Sequence, residues 1–241
     1  MESGLLNCTS VETAVKSIVN IFGINERGLH AVFQDIGQVP QVEAPEYYIP
    51  PRVYRALGKP KFPIQSLWFH ATRVKDPASF KKEGILPKQK VIERLTAFLE
   101  HLSKGLEKHG DHPNPISAGW KAHNPEDEGP FAFLFRSLAI EAPGAIHAYH
   151  EAPEAVEDIA GDLLGVNYKE LVSRFQEETV PCIVSFRAHI CEHKFNRALW
   201  FAYMIYSGID ELEAQNAART FYVGDGTPIP PKEIIDVEVI L

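Results

Sequence analysis

The chain has 241 residues, 45% of them hydrophobic and 10% aromatic, with a formal net charge of −8. That is the composition of a globular protein with a real core, long enough for one large domain or two small ones. The acidic balance argues against a generic nucleic-acid or anionic-membrane surface and leaves room only for a local basic cleft.

Cys8, Cys182 and Cys191 are too few and too scattered for a disulfide framework, which points to a reducing compartment. The N-terminus has no basic region followed by a long apolar run, and no apolar stretch approaches the ~20 residues of a membrane span. The expectation is a soluble, cytoplasmic protein.

Residues 10–22 open with a Ser-x-x-Thr cap, and Val11, Val15, Ile18, Val19 and Phe22 recur at helical spacing up to Gly23. Residues 32–63 hold Pro40, Pro45, Pro50, Pro51, Pro60 and Pro63 and read as an extended connection, because proline fixes its own dihedral and biases its predecessor away from helix. Its Tyr47, Tyr48 and Tyr54 are expected to pack on the main domain. Residues 1–60 are therefore expected to be a helix and proline-rich arm packed on a core of residues 61–241.

Residues 66–87 form a three-part phrase. Ser66 to Phe69 is apolar and aromatic, suited to a short buried strand. His70-Ala71-Thr72-Arg73 places polar side chains at the strand's end. Asp76-Pro77 is a helix start, Phe80, Ile85 and Leu86 pack the short helix back, and Gly84 with Pro87 stops it.

Val91, Leu95, Phe98, Leu99, Leu102 and Leu106 give residues 89–108 a clean amphipathic stripe. Residues 110–128, with Pro113, Pro115, Gly119, Pro125 and Trp120, read as a long loop. In residues 129–137 the aromatics Phe131, Phe133 and Phe135 alternate as in a strand with one buried face. Residues 153–164 and 168–175 read as helices, 180–190 as a strand, and 196–208 as a buried helix ending at Gly208. Residues 219–223 and 234–241 read as closing strands. Short, turn-flanked strands among helices favour an α+β fold with a partly antiparallel sheet.

Chemistry-bearing motifs are sparse. There is no Gly-x-Ser-x-Gly elbow, phosphate loop or Gly-x-Gly-x-x-Gly. His147-x-x-His150-Glu151 and His189-x-Cys191-x-His193 have ligand types suited to zinc but no strong spacing signature. They support a zinc-supported hydrolase only as an outlying alternative, and no metal is assigned. Cys191 reads as an ordinary thiol.

The phrase Trp68-Phe69-His70-Ala71-Thr72-Arg73, followed by a short helix and Gly84-Ile85-Leu86-Pro87, resembles the first motif of the ADP-ribosyltransferase-like superfamily. Gly129-Pro130-Phe131-Ala132-Phe133 is similar to that group's second, aromatic strand motif. Phe221-Tyr222-Val223, then Ile229-Pro230-Pro231 and residues 234–240, resemble its last two strands. The resemblance implies a split, partly antiparallel sheet with surrounding helices that takes NAD as substrate and passes ADP-ribose to an acceptor it does not name.

On that resemblance His70 holds the ribose, Phe131 and Phe133 flank nicotinamide, and Thr72 and Arg73 contact phosphate or ribose. One position departs from it. Where the family has a catalytic glutamate at the start of the strand over 219–223, this chain has Ala218-Arg219-Thr220, and the substitute acid is Glu213. A non-catalytic ligand-binding or protein-interaction module on the same scaffold is the alternative.

Overall fold

A computed structural model describes residues 4–37, 47–114, 128–144 and 146–240. The elements in chain order are β1 (Leu5–Leu6), α1 (Val11–Phe22), α2 (Glu26–Ile36), α3 (Ile49–Leu57), β2 (Ile64–Val74), α4 (Ser79–Glu83), α5 (Lys88–Leu102), β3 (Phe131–Phe133) and α6 (Arg136–Glu141). They continue as α7 (Glu154–Leu164), α8 (Tyr168–Glu177), β4 (Val180–Ile190), α9 (Glu192–Tyr206), α10 (Glu211–Ala217), β5 (Phe221–Val223) and, after a short 3-10 turn (Pro231–Glu233), β6 (Ile234–Val239).

The fold is α+β. The sheet order is β5-β3-β2-β4-β6, with β1 added alongside β2. β1 runs parallel to β2. β2 and β3 are antiparallel, with Phe69 opposite Phe133. β4 and β6 are antiparallel from Cys182 opposite Val239 to Phe186 opposite Ile234. Among the described residues no helix is long and apolar enough to cross a membrane. All three cysteines are free, with Cys8 and Cys182 buried and Cys191 exposed.

The chain divides into two compact units. The first comprises Met1–Phe69, Phe133–Leu138 and Arg187–Phe221; the second comprises His70–Ala132, Ala139–Phe186 and Tyr222–Leu241.

In the first unit, α1 starts as its sequence dictates. Ser10 Oγ accepts the Thr13 N–H while Thr13 Oγ1 accepts the Ser10 N–H, a reciprocal capping box. Its inward residues Ala14, Ile18 and Val19 are buried. α9 is apolar nearly all round and correspondingly enclosed, with Phe195, Leu199, Phe201 and Met204 in the core. The Phe201 ring meets Phe135 at 4.7 Å between centroids, and the Tyr203 hydroxyl donates to the Gly37 carbonyl at 2.6 Å.

Residues 32–63 are not the extended connection that the prolines suggest. α2 runs to Ile36, and α3 takes Pro50 and Pro51 into its first turn. Proline lacks an N–H that a first turn would leave unpaired anyway, and its fixed φ suits a helix start. The part of this stretch that includes Pro40 and Pro45 lies outside the described residues.

The second unit has its own apolar core of Leu99, Val156, Ala160, Leu164, Leu171 and Phe175, joining α5, α7 and α8. The amphipathic stripe predicted for 89–108 faces this core, although the helix ends at Leu102 and Leu106 packs from the following turns. α4 begins at Ser79, two residues beyond the predicted start. Asp76 is engaged earlier, its carboxylate accepting the Ala78 N–H at 2.9 Å.

Gly84 closes α4 at φ +76°, and Ile85 pairs with Ile229 as a bridge. A Cβ at Gly84 would lie 1.9 Å from the Ile229 carbonyl oxygen, so this crossing admits only glycine. Trp120 and most of the predicted loop over 110–128 lie outside the described residues. The aromatic stretch 129–137 is shorter as a strand than its alternation suggests, because the backbone turns helical at Arg136.

Candidate functional site

β2 is apolar and buried through Trp68 and Phe69, and beyond them His70, Thr72 and Arg73 are polar and half-buried while Ala71 stays buried. That transition places the His70 imidazole against the start of β3. Its Nδ1 lies 2.7 Å from the Phe131 carbonyl oxygen. The carbonyl can only accept, so Nδ1 carries the proton and Nε2 is the ring's acceptor nitrogen. Burial holds His70 below its ordinary pKa and outweighs the carbonyl contact, which raises it. The group is therefore a neutral imidazole of fixed tautomer at neutral pH.

The register decides which side chains share its side of the sheet. Phe69 faces Phe133, so His70 falls on the side of Ala132, and Phe131 points to the other side with Ala71. It is the carbonyl of Phe131, not its ring, that meets the imidazole. Two further bonds align β5 with β3: Leu134 N–H to the Thr220 carbonyl at 3.2 Å and Gly224 N–H to the Pro130 carbonyl at 3.0 Å. That alignment puts Tyr222 opposite Ala132, on the side that carries His70. Thr72, two residues on from His70, is on this side as well.

Tyr222 is half-buried, and its ring meets Phe186 edge-on at 5.2 Å and 81°. β4 and β5 are separated in the sheet by β2 and β3, so the ring contact between them spans the face of the intervening strands. Burial raises the Tyr222 phenol above its usual pKa, and the nearby Asp225 carboxylate adds to the shift. Asp225 sits at φ +47° in the turn after β5, where the Gly226 N–H donates to the Gly129 carbonyl at 2.8 Å.

The other predicted residues have distinct placements. Arg73 is engaged within the second unit. Its Nε donates to Thr179 Oγ1 at 3.2 Å, Nη1 to the His150 carbonyl at 3.1 Å, and Nη2 to the Gln176 and Thr179 carbonyls, both at 2.8 Å. This guanidinium ties β2 to the end of α8 and to the turn at His150, which leaves one of its five N–H groups for any other partner. Phe131 is half-buried, whereas Phe133 is in the core of the first unit with its ring 5.2 Å from Phe221. Glu213 is exposed in the first turn of α10, in the first unit, with its N–H capped by Asp210. At the head of β5, Thr220 is buried and supplies its carbonyl to Leu134.

The histidine pairs are differently used. His147 Nε2 lies 2.6 Å from the Ala152 carbonyl, and its ring meets Tyr149 at 4.9 Å. His189 and His193 are exposed in the first unit. Among the described residues no group of three or more His, Cys, Asp or Glu side chains is placed to hold a metal ion.

Sequence reasoning overlooked Tyr222 as a member of this side and Phe186 as its buried packing partner. The only signal was the position of Tyr222 within a three-residue strand, and its side depends on a register that the sequence does not print. No family model, curated protein or solved structure matches the chain.

Proposed function

We propose that the chain binds NAD in the second unit, on the side of the sheet that carries His70. The observation that carries this reading is the hydrogen bond between His70 Nδ1 and the Phe131 carbonyl. It orients the imidazole and leaves Nε2 as a lone-pair acceptor, the group that a ribose hydroxyl requires. In this reading Thr72 supplies a hydroxyl beside the ribose, and Tyr222 supplies an aromatic surface. Phe131 acts through its backbone, and Arg73 holds β2 in place.

The second reading is binding without ADP-ribose transfer. The specific observation in its favour is the head of β5, where Thr220 is buried and no carboxylate stands. Transfer breaks the bond between ribose and nicotinamide, and a carboxylate at the ribose stabilises the positive charge that develops there. The acid expected in exchange, Glu213, belongs to the first unit, and the acceptor that transfer would use is of unknown chemistry.

Calorimetric titration of NAD into the full chain tests the proposal. Saturable heat is expected for the wild type, and His70→Asn is expected to weaken affinity a few-fold to about tenfold, the loss of one hydrogen bond. A wild-type chain that gives no heat with NAD overturns it. Nicotinamide release then separates the readings. Release with the ADP-ribose recovered covalently on an acceptor establishes transfer, release with free ADP-ribose establishes hydrolysis, and binding without release establishes the binding module.

A further inference from the structure

Net charge describes a whole chain, but a ligand feels charge over about one Debye length, ~8 Å at physiological salt. Residues 47–62 contain Arg52, Arg55, Lys59 and Lys61 and no acidic residue, within a chain whose formal charge is −8. These residues belong to α3 and the turn after it, in the first unit. α3 lies across the start of α9: the Tyr54 hydroxyl donates to Asn196 Oδ1 at 2.6 Å, and Lys59 pairs with Glu192 at 2.6 Å. α9 adds His193, Lys194 and Arg197 within its first turns. Glu192, already paired with Lys59, is the one acidic residue of that segment.

Aromatic rings are interleaved with these cations. Tyr47 is 63% exposed, and its ring centroid lies 6.4 Å from that of His193, which is exposed too. The Arg52 guanidinium stacks over the Tyr48 ring at 3.4 Å. Arg55 and Lys61 are exposed. Arg52 and Arg55, three residues apart on a helix, are surface neighbours. A tyrosine that stays this exposed beside a second flat ring leaves its apolar face in water, a cost that a stacked partner removes.

We infer that the α3–α9 surface, with Tyr47 and His193 as stacking rings and Arg52, Arg55 and Lys61 as phosphate contacts, binds single-stranded nucleic acid. Unpaired bases supply the flat faces that rings of this kind stack on, and the phosphates between them supply the charge. The inference is independent of NAD binding, since it uses the other unit and different residues.

Fluorescence anisotropy of a labelled oligothymidylate of about 20 nucleotides, titrated with the full chain over a range of salt, tests it. The expected result is binding whose log–log salt slope is about −2, as for roughly three phosphate contacts to a single strand. Arg55→Ala and Lys61→Ala are each expected to reduce the slope by about 0.7. Tyr47→Ala is expected to weaken affinity roughly tenfold at an unchanged slope, the signature of lost stacking. Lys90→Ala, in the second unit, is expected to change neither. All three substituted residues of the patch are exposed, and equal melting temperatures verify that the variants fold.

No binding at low salt overturns the inference. So does binding that Arg55→Ala and Lys61→Ala leave intact. Equal affinity for duplex DNA together with no effect of Tyr47→Ala identifies a plain polyanion surface instead. Binding to phosphatidylserine vesicles without binding to the oligonucleotide identifies a membrane contact; either result removes the proposal.

Discussion

Arg73 meets Thr179 twice, donating to its hydroxyl at 3.2 Å and to its carbonyl at 2.8 Å. Thr179 is buried, and its hydroxyl in turn donates to the Phe175 carbonyl at 2.6 Å, inside the core of the second unit. A cation on β2 therefore stabilises the end of α8, where carbonyls lack helical partners. Arg73→Ala is expected to cost about 2–3 kcal/mol, because it strands several carbonyls at once. Arg73→Lys is expected to recover little, since an ammonium cannot reproduce the planar fork. Urea unfolding measures both, and a loss below about 0.5 kcal/mol for Arg73→Ala would show that the clamp contributes nothing.

Gly84→Ala is expected to be among the most damaging small substitutions in the chain. The added methyl meets the Ile229 carbonyl at 1.9 Å, and the backbone is at φ +76°, so neither the space nor the conformation suits alanine. A loss of ~2 kcal/mol or more is expected. Gly58→Ala is the control, also at positive φ (+85°) but with nothing within 4 Å. It is expected to show the conformational cost alone, and equal losses at the two sites would contradict the close approach.

Phe133→Ala is expected to cost about 3–5 kcal/mol, the range for removing a buried aromatic ring. Phe133 is 5% exposed and packs on Phe221. The expected signature is a lower unfolding midpoint, with NAD affinity measured on the remaining folded protein within about twofold of wild type. A large affinity loss with unchanged stability would place the ring in the ligand site instead of the core.

His70 is expected to make stability fall as pH falls. Its folded-state pKa lies below the ordinary 6.5, with burial as the larger cause. The unfolded chain therefore binds a proton at a pH where the folded chain does not, which favours unfolding. The full contribution is present above about pH 6.5 and is lost on acidification until the folded-state pKa is reached. Urea midpoints of the wild type and His70→Asn, compared between about pH 7.5 and 5, measure the difference. A wild-type midpoint that falls no more steeply than that of the variant would mean that His70 protonates as easily folded as unfolded.

Several elements were legible because one local rule governs each. Ser10 and Thr13 announce α1, the leucine stripe announces α5, and the alternation at Cys182, Val184 and Phe186 announces β4. α3 was obscured because Pro50 and Pro51 act as breakers within a helix and as starters at its first turn, and sequence order does not say which applies. The strand over 129–137 was overextended because Phe135 continues the alternation of Phe131 and Phe133 after the backbone has left the sheet.

His70 was visible as the first polar residue after an apolar strand. The partners of Arg73 were not, since Gln176 and Thr179 lie 103 and 106 positions away. The side occupied by Tyr222 follows from a three-strand register, a non-local property that local pattern cannot specify.

The chain passes between the two units at five points, and all five fall inside regular elements: between Phe69 and His70 in β2, Ala132 and Phe133 in β3, Leu138 and Ala139 in α6, Phe186 and Arg187 in β4, and Phe221 and Tyr222 in β5. Domain borders ordinarily fall in exposed linkers, where a gene can be cut and rejoined without breaking hydrogen-bonded backbone. Here four of the cuts would sever a strand and the fifth a helix. Neither unit is a contiguous cassette: each is assembled from three separate segments, so no single stretch of gene encodes one of them.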